Sequence, residues 1–112
     1  MNDKSRFRVE LTEDAERDLE DLVDFLPETS SFDRTEEVLG QLRERVASLE
    51  SFPDRGTWPK ELEELGIHAF RQLNFGAYRL IYHIVGDTVH VVLIADGRRD
   101  MILLLQRRLF SS

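Results

Sequence analysis

The chain is 112 residues long, has no cysteine and carries a formal net charge of -7. That length suits one domain, residues 1–112, with a single modest core. The missing thiols exclude a disulfide framework, a thiolate metal site and a cysteine nucleophile, and the acidic balance disfavours loose binding to nucleic acid, which depends on neutralising many phosphates.

The charge is unevenly spread. Residues 1–66 carry nineteen acidic and nine basic side chains, and residues 67–112 three acidic and six basic. A local basic site is therefore open to the second part of the chain. The opening MNDKSRFRVEL lacks the apolar stretch of a signal peptide, and no run approaches the roughly 20 apolar residues of a membrane span. A soluble, cytoplasmic protein without a membrane partner is expected.

Arg6 to Leu11 alternates charged and apolar positions, with Phe7, Val9 and Leu11 on one face, and reads as a strand. Thr12 can cap a helix with its hydroxyl, and Glu13 and Asp14 suit the positive end of the helix dipole. Ala15, Leu19, Leu22, Val23 and Leu26 follow at helical spacing, with Glu16, Asp18, Glu20 and Asp21 on the wet side, and Pro27 ends the helix. Ser30, Ser31 or Asp33 starts the next one, Asp33 and Glu36 resembling a capping box. Val38, Leu39, Leu42, Val46, Leu49 and Phe52 form its apolar stripe before Pro53. The two helices make an αα-hairpin.

Pro53, Gly56, Pro59 and Gly66 mark residues 53–66 as a loop, with a helical turn at 60–65 and Trp58 as its anchor against the core. A strand is expected over 67–73 and a turn over 74–77. Tyr78, Leu80, Tyr82 and Ile84 then alternate, as do Val89, Val91 and Leu93, and Gly86-Asp87 between them supplies the positive φ of a two-residue hairpin turn. Asp96-Gly97-Arg98-Arg99-Asp100 sets two guanidinium groups where the sheet gives way to a last helix. Asp100 can cap that helix, and an arginine can pair with it or with Asp96. The order β-α-α-β-β-β-α implies an α+β fold: an antiparallel meander packed against a helical hairpin, its helices on one face, followed by a C-terminal helix, with the first strand at a sheet edge.

Met101 to Leu105 are five apolar residues in a row, continued by Leu109 and Phe110. One sheet cannot cover a helix that is apolar all round, so Met101, Ile102, Leu105, Leu109 and Phe110 are expected to meet a partner. His68, His83 and His90 are the candidate acid/base groups. Their bland reading as surface residues is favoured, and their spacing fits no metal site. No cofactor is expected.

Tyr78-Arg79-Leu80-Ile81-Tyr82, the glycine-containing hairpin turn, Gly97-Arg98-Arg99-Asp100 before a terminal helix, Leu11-Thr12-Glu13-Asp14-Ala15 and Leu49 with Pro53 resemble, in this order, the RelE/ParE superfamily of type II toxin–antitoxin toxins. The resemblance covers nearly the whole chain. It implies growth arrest, plasmid stabilisation and a cognate antitoxin whose C-terminal part wraps around the toxin.

One arm of the superfamily cleaves messenger RNA in the ribosomal A site and the other poisons DNA gyrase; fold alone does not choose between them. For the ribonuclease arm, the resemblance aligns Arg79 and Arg99 with two RelE arginines and brings Arg71 near a lysine position. His83 is the candidate base. Phe70 and Gln72 stand where RelE has lysines, and Leu105 stands where it has a catalytic tyrosine; a leucine cannot transfer a proton. The 67–112 segment also has no lysine. The corner from Asp96 to Asp100 resembles the ParE branch, in which Arg98, Arg99 and Arg79 are candidates for contact with gyrase and no catalytic residue is needed. The alternatives are a ribosome-dependent endoribonuclease acting on messenger RNA and a non-toxic relative that keeps antitoxin binding. The acidic first helix could face a basic antitoxin, and the apolar terminal helix an antitoxin helix or a second copy of the chain.

Overall fold

Alternation at the start of the chain produces β1, Arg8–Leu11. Val9 and Leu11 of this strand, and Phe7 just before it, pack against the core. The structure, a computed structural model, describes residues 6–24 and 32–110. Helix α1, Glu13–Asp24, begins as the sequence predicts: the Thr12 hydroxyl accepts the Ala15 N–H at 3.1 Å, taking one of the free donors of the first turn. Helix α2 is Phe32–Ser51. Asp33 lies within it, and its side chain falls outside the described residues. Leu26, Pro27, Ser30 and Ser31, and the link between the two helices, lie outside the described residues.

Pro53–Arg55 form a 3₁₀ turn, and α3, Lys60–Glu63, is the expected helical turn within the loop. Strands β2 (Arg71–Phe75), β3 (Tyr78–Val85) and β4 (Thr88–Asp96) are joined by two-residue turns, and α4, Met101–Phe110, closes the chain. The strand expected over 67–73 starts and ends later, because Gly76, at φ 60°, makes the turn with Ala77 alone. Gly86 has φ 61° while, among the described residues, none other than glycine has positive φ, so glycine fills the first turn position and Asp87 takes an ordinary conformation.

The sheet order is β1-β4-β3-β2. The last three strands form the antiparallel meander. β1 lies at the edge as expected and runs parallel to β4, a pairing the sequence left open. Val92 is skipped between the pairs Tyr82↔Val91 and Ile81↔Leu93, so β4 carries a bulge. The extra residue reverses the alternation. Val89 and Val91 face the helical pair with Leu80 and Tyr82, whereas Leu93, expected beside them, faces the other way with Ile81 and Ala95.

Helices accordingly cover both faces of the sheet, not one. On the first, α1 and α2 bring Ala15, Val38, Leu42 and Leu49 against Leu73, Phe75, Leu80, Tyr82 and Ile94. On the second, Leu62 of α3 and Met101 and Leu105 of α4 cover Ile81, Val92, Leu93 and Ala95. A strand that is apolar on both sides needs cover on both. Phe52, placed in the apolar stripe of α2 by spacing, falls just past the helix end and is exposed.

β1 pairs only with residues 88–91 of β4, which runs on to Asp96. Beyond the end of β1 that edge is held by two charged side chains. The Ile94 N–H donates to Asp18 Oδ2 at 2.9 Å, and Arg108 Nη1 donates to the Val92 carbonyl at 2.7 Å. Arg108 also grips both oxygens of Asp18, at 2.7 and 2.9 Å. Asp18 is thus not on the wet side of α1; its side chain is 15% exposed and that of Arg108 21%. Removing one member leaves the other charge short of a partner in a partly desolvated place. Arg108→Met is expected to lower stability by about 2 kcal/mol, between the values for surface and buried pairs. In urea unfolding, adding Asp18→Asn should restore part of that loss, with a coupling of about 1 kcal/mol.

Candidate functional site

The corner between β4 and α4 is built by its own carboxylates. Asp100 Oδ1 accepts the Leu103 N–H at 3.1 Å, so it caps α4 as the sequence predicts. Asp96 accepts the Arg98 backbone N–H at 2.9 Å and receives the Arg98 side chain at 2.9 and 2.6 Å. These bonds hold the Asp96 carboxyl down at about 2, with the Arg98 side-chain hydrogen bond as the largest cause. Arg98 nevertheless stands in solvent. Arg99 is also exposed, and it forms no ion pair among the described residues. It lines two clefts, one of about 430 Å³ against Asp18, Asp21, Tyr78 and Ile94, the other of about 350 Å³ against Lys60, Glu61 and Arg79.

Arg79 shares that second cleft, so the structure brings together the two arginines the resemblance paired. Their states differ. Arg79 gives Nη1 and Nη2 to the two oxygens of Glu61 at 2.9 and 2.8 Å, and Nε to Gln72 Oε1 at 2.9 Å; Nη2 also donates to Gln72 Oε1. Both ion-pair side chains are only 12% exposed. The Arg79 hydrogen bonds hold the Glu61 carboxyl below its ordinary value. Gly97 lets this side chain pass: a Cβ there would lie 2.9 Å from Arg79 Cδ. The acidic partner of Arg79, Glu61, lies in α3. Arg79 is accordingly engaged within the protein by Glu61 and Gln72.

Arg71 and His83 stand elsewhere, in a cleft of about 190 Å³ with Trp58, His68 and Tyr82. The guanidinium of Arg71 donates to the Asp54 and Gly56 carbonyls at 3.2 and 2.9 Å and lies 4.1 Å from the centre of the Trp58 ring. Trp58 is half-buried and covers Arg71; the buried anchors of its loop are Pro53, Pro59 and Leu62. The His83 ring stacks on Phe70 at 5.1 Å and lies 5.5 Å from that of His90. Burial first, and His90 second, push His83 toward the neutral form. His68 is exposed and meets the Trp58 edge at 5.2 Å. The set Arg71, Arg79, Arg99 and His83 is therefore divided between two clefts, and no cleft described is lined by all four.

Leu105 is 1% exposed and Met101 4%. Both were expected to meet a partner, but they face the sheet and belong to the core. Leu109 is half-buried, while Ile102, Leu103 and Phe110 are exposed. Sequence reasoning missed Tyr82, whose hydroxyl donates to the Pro53 carbonyl at 2.6 Å and accepts the Gly56 N–H at 3.0 Å, tying the loop to the sheet. Gly56 was the available signal, since a Cβ there would fall 2.6 Å from that hydroxyl.

The fold is that of the RelE/ParE-like toxins. Over residues 9–101 the chain matches the family described as the ParE toxin of the type II toxin–antitoxin system parDE, and it belongs to that family. A comparison with curated proteins finds no match. Among solved structures, the chromosomal ParDE system of P. aeruginosa is similar at a TM-score of 0.64 and 14% identity, covering 82% of this chain and 97% of that one. The toxin–antitoxin complex RelBE2 of Mycobacterium tuberculosis gives 0.57 and 23%, covering 81% and 98%. A mutant RelE toxin of E. coli in the free state gives 0.56 and 15%, covering 88% and 92%.

The Asp96 pair sets a pH dependence. Its carboxyl is depressed in the folded state, so its stabilisation is complete above the ordinary carboxylate value near 4 and disappears as pH falls through about 2. Carboxyl NMR titration should find that midpoint, and Arg98→Ala should move it up toward the ordinary range. Glu61→Ala, which strands a desolvated guanidinium, is expected to cost about 3 kcal/mol in urea unfolding.

Proposed function

We propose that this ParE-family toxin acts as a stoichiometric inhibitor of a type II topoisomerase, DNA gyrase in the first place, and is held silent by a cognate antitoxin. The observation that carries the reading is the state of Arg79. A phosphate would have to displace a bidentate carboxylate and an amide to reach that guanidinium. The division of the remaining ribonuclease candidates between two clefts, and a buried leucine at position 105, support it further. Arg99, exposed and without an ion pair among the described residues, is the side chain for the target contact, with Arg98 beside it.

Antitoxin binding has two surfaces to draw on. The outer side of α1 exposes Glu13, Glu16, Glu20, Asp21 and Asp24 to a basic chain, and α4 offers Ile102, Leu103 and Phe110, with Leu109 at their border. A complex made through α1 should weaken with added salt, because exposed charges are screened.

Purified protein is expected to inhibit supercoiling by gyrase and to leave ribosome-bound messenger RNA intact. Arg99→Ala should weaken inhibition about tenfold, the loss of roughly one charge-assisted contact, with unchanged circular dichroism. Rapid A-site-dependent cleavage with normal supercoiling would replace this reading with the ribonuclease one.

A further inference from the structure

At the hairpin end of the sheet, Tyr82, Ile84, Val89 and Val91 turn toward α1 and α2, so His83 and His90 stand on the opposite face. They are register partners across β3 and β4, and their ring centres lie 5.5 Å apart. Two imidazoles that bind one ion at about 2.1 Å, at tetrahedral or square-planar angles, have ring centres roughly 4.5–5.2 Å apart. A small side-chain rotation closes the difference. Phe70, just before β2, stacks on the His83 ring at an interplanar angle of 18°, which fixes the orientation of that imidazole in advance. Neither histidine ring takes a hydrogen bond among the described residues, and no ring nitrogen is sealed from solvent without a partner. Their nitrogens are open to a ligand.

The chemistry of the pair narrows that ligand. Burial first, and His90 second, keep His83 toward the neutral form, which is the form that binds metal. Glu10, the register partner of His90 on β1, adds a carboxylate on the same face, and its pair with Arg8 is exposed and opens at little cost. No three potential ligands converge among the described residues, so the protein supplies two nitrogens and water fills the remaining positions. Imidazole nitrogen suits late first-row ions, whose affinities peak at copper. Calcium and magnesium, which take oxygen ligands, do not fit.

We propose that His83 and His90 form a chelating site for one divalent late transition-metal ion, Cu2+ more tightly than Ni2+ or Zn2+, which clips β3 to β4 beside the hairpin turn. The unfolded chain does not hold the two rings together, so the ion stabilises the folded state. The site stands apart from the arginine corner and does not depend on whether the target is gyrase or the ribosome.

Cu2+ itself is the probe, added to the full chain near neutral pH in a buffer that does not chelate it. Calorimetric titration should find one site, and electron paramagnetic resonance should show splitting from two equatorial nitrogens. His83→Ala and His90→Ala should each weaken binding about tenfold or more, whereas His68→Ala, which removes an exposed ring outside the pair, should change it less than about twofold. Circular dichroism checks the fold of each variant, and His90→Ala, away from the Phe70 stack, gives the answer if His83→Ala fails to fold. Saturating Zn2+ should raise the urea midpoint of the unaltered chain and leave that of His90→Ala in place. Binding that survives loss of His90, an equal loss in His68→Ala, or a one-nitrogen spectrum overturns the proposal. None of these results bears on gyrase inhibition, which is read separately by the supercoiling assay.

Discussion

The edge of β4 is the place on which the arrangement depends. This strand lies between two cores and is apolar on both faces, yet its edge partner β1 ends at Leu11, opposite Val91. An exposed edge there would leave backbone donors and acceptors beside a greasy surface, a template for unwanted pairing. Asp18 takes the Ile94 N–H and Arg108 the Val92 carbonyl, and their mutual pair joins α1 on one face to α4 on the other. A strand's hydrogen bonds are thus supplied by one carboxylate and one guanidinium. Because the two helices are tied around the strand end, the corner carrying Arg98 and Arg99 is held between them.

Arg79 and Arg99 line one cleft, with Arg98 next to Arg99 in the chain, but the three differ in what they can still do. Arg79 is desolvated and fully countered, so it contributes packing and shape and presents little net charge. Arg98 is chelated by Asp96 but stands in water, where such a pair opens at little cost. Arg99 keeps both its charge and its access. The same residue type therefore ranges from desolvated and paired to exposed around one corner, and the difference lies in the acidic neighbours. A guanidinium whose donors are occupied cannot serve a phosphate without the carboxylate being dislodged, which costs more than the new bonds return unless the phosphate brings further contacts.

Much of this was legible in the residues. Thr12, Asp100 and Gly86 mark their caps and turn because those signals act over a few positions and compete with little else. The family order was readable for the same reason. What escaped was long in range. Asp18 reads as a wet residue of α1 until an arginine 90 positions away arrives beside it. The bulge at Val92 has no signature in a run of β-branched residues that looks apolar on either register, so Leu93 was assigned to the wrong face. Met101 and Leu105 could not be separated from Ile102 in a five-residue apolar run, since only the rotation of the helix decides which of them is buried.

That rotation is fixed at both ends of α4. Asp100 closes the first turn, and Arg108 must point toward Asp18 and the Val92 carbonyl in the last. With Arg108 so placed, Met101 and Leu105 fall on the sheet, and Ile102, Leu103 and Phe110 have no route inward without breaking the clamp. Their exposure is therefore a consequence of the strongest long-range polar contact in α4 and not of slack packing. Covering such side chains is favourable by roughly 25 cal/mol per Å². The helix cannot obtain that by turning, since the Arg108 clamp fixes its rotation.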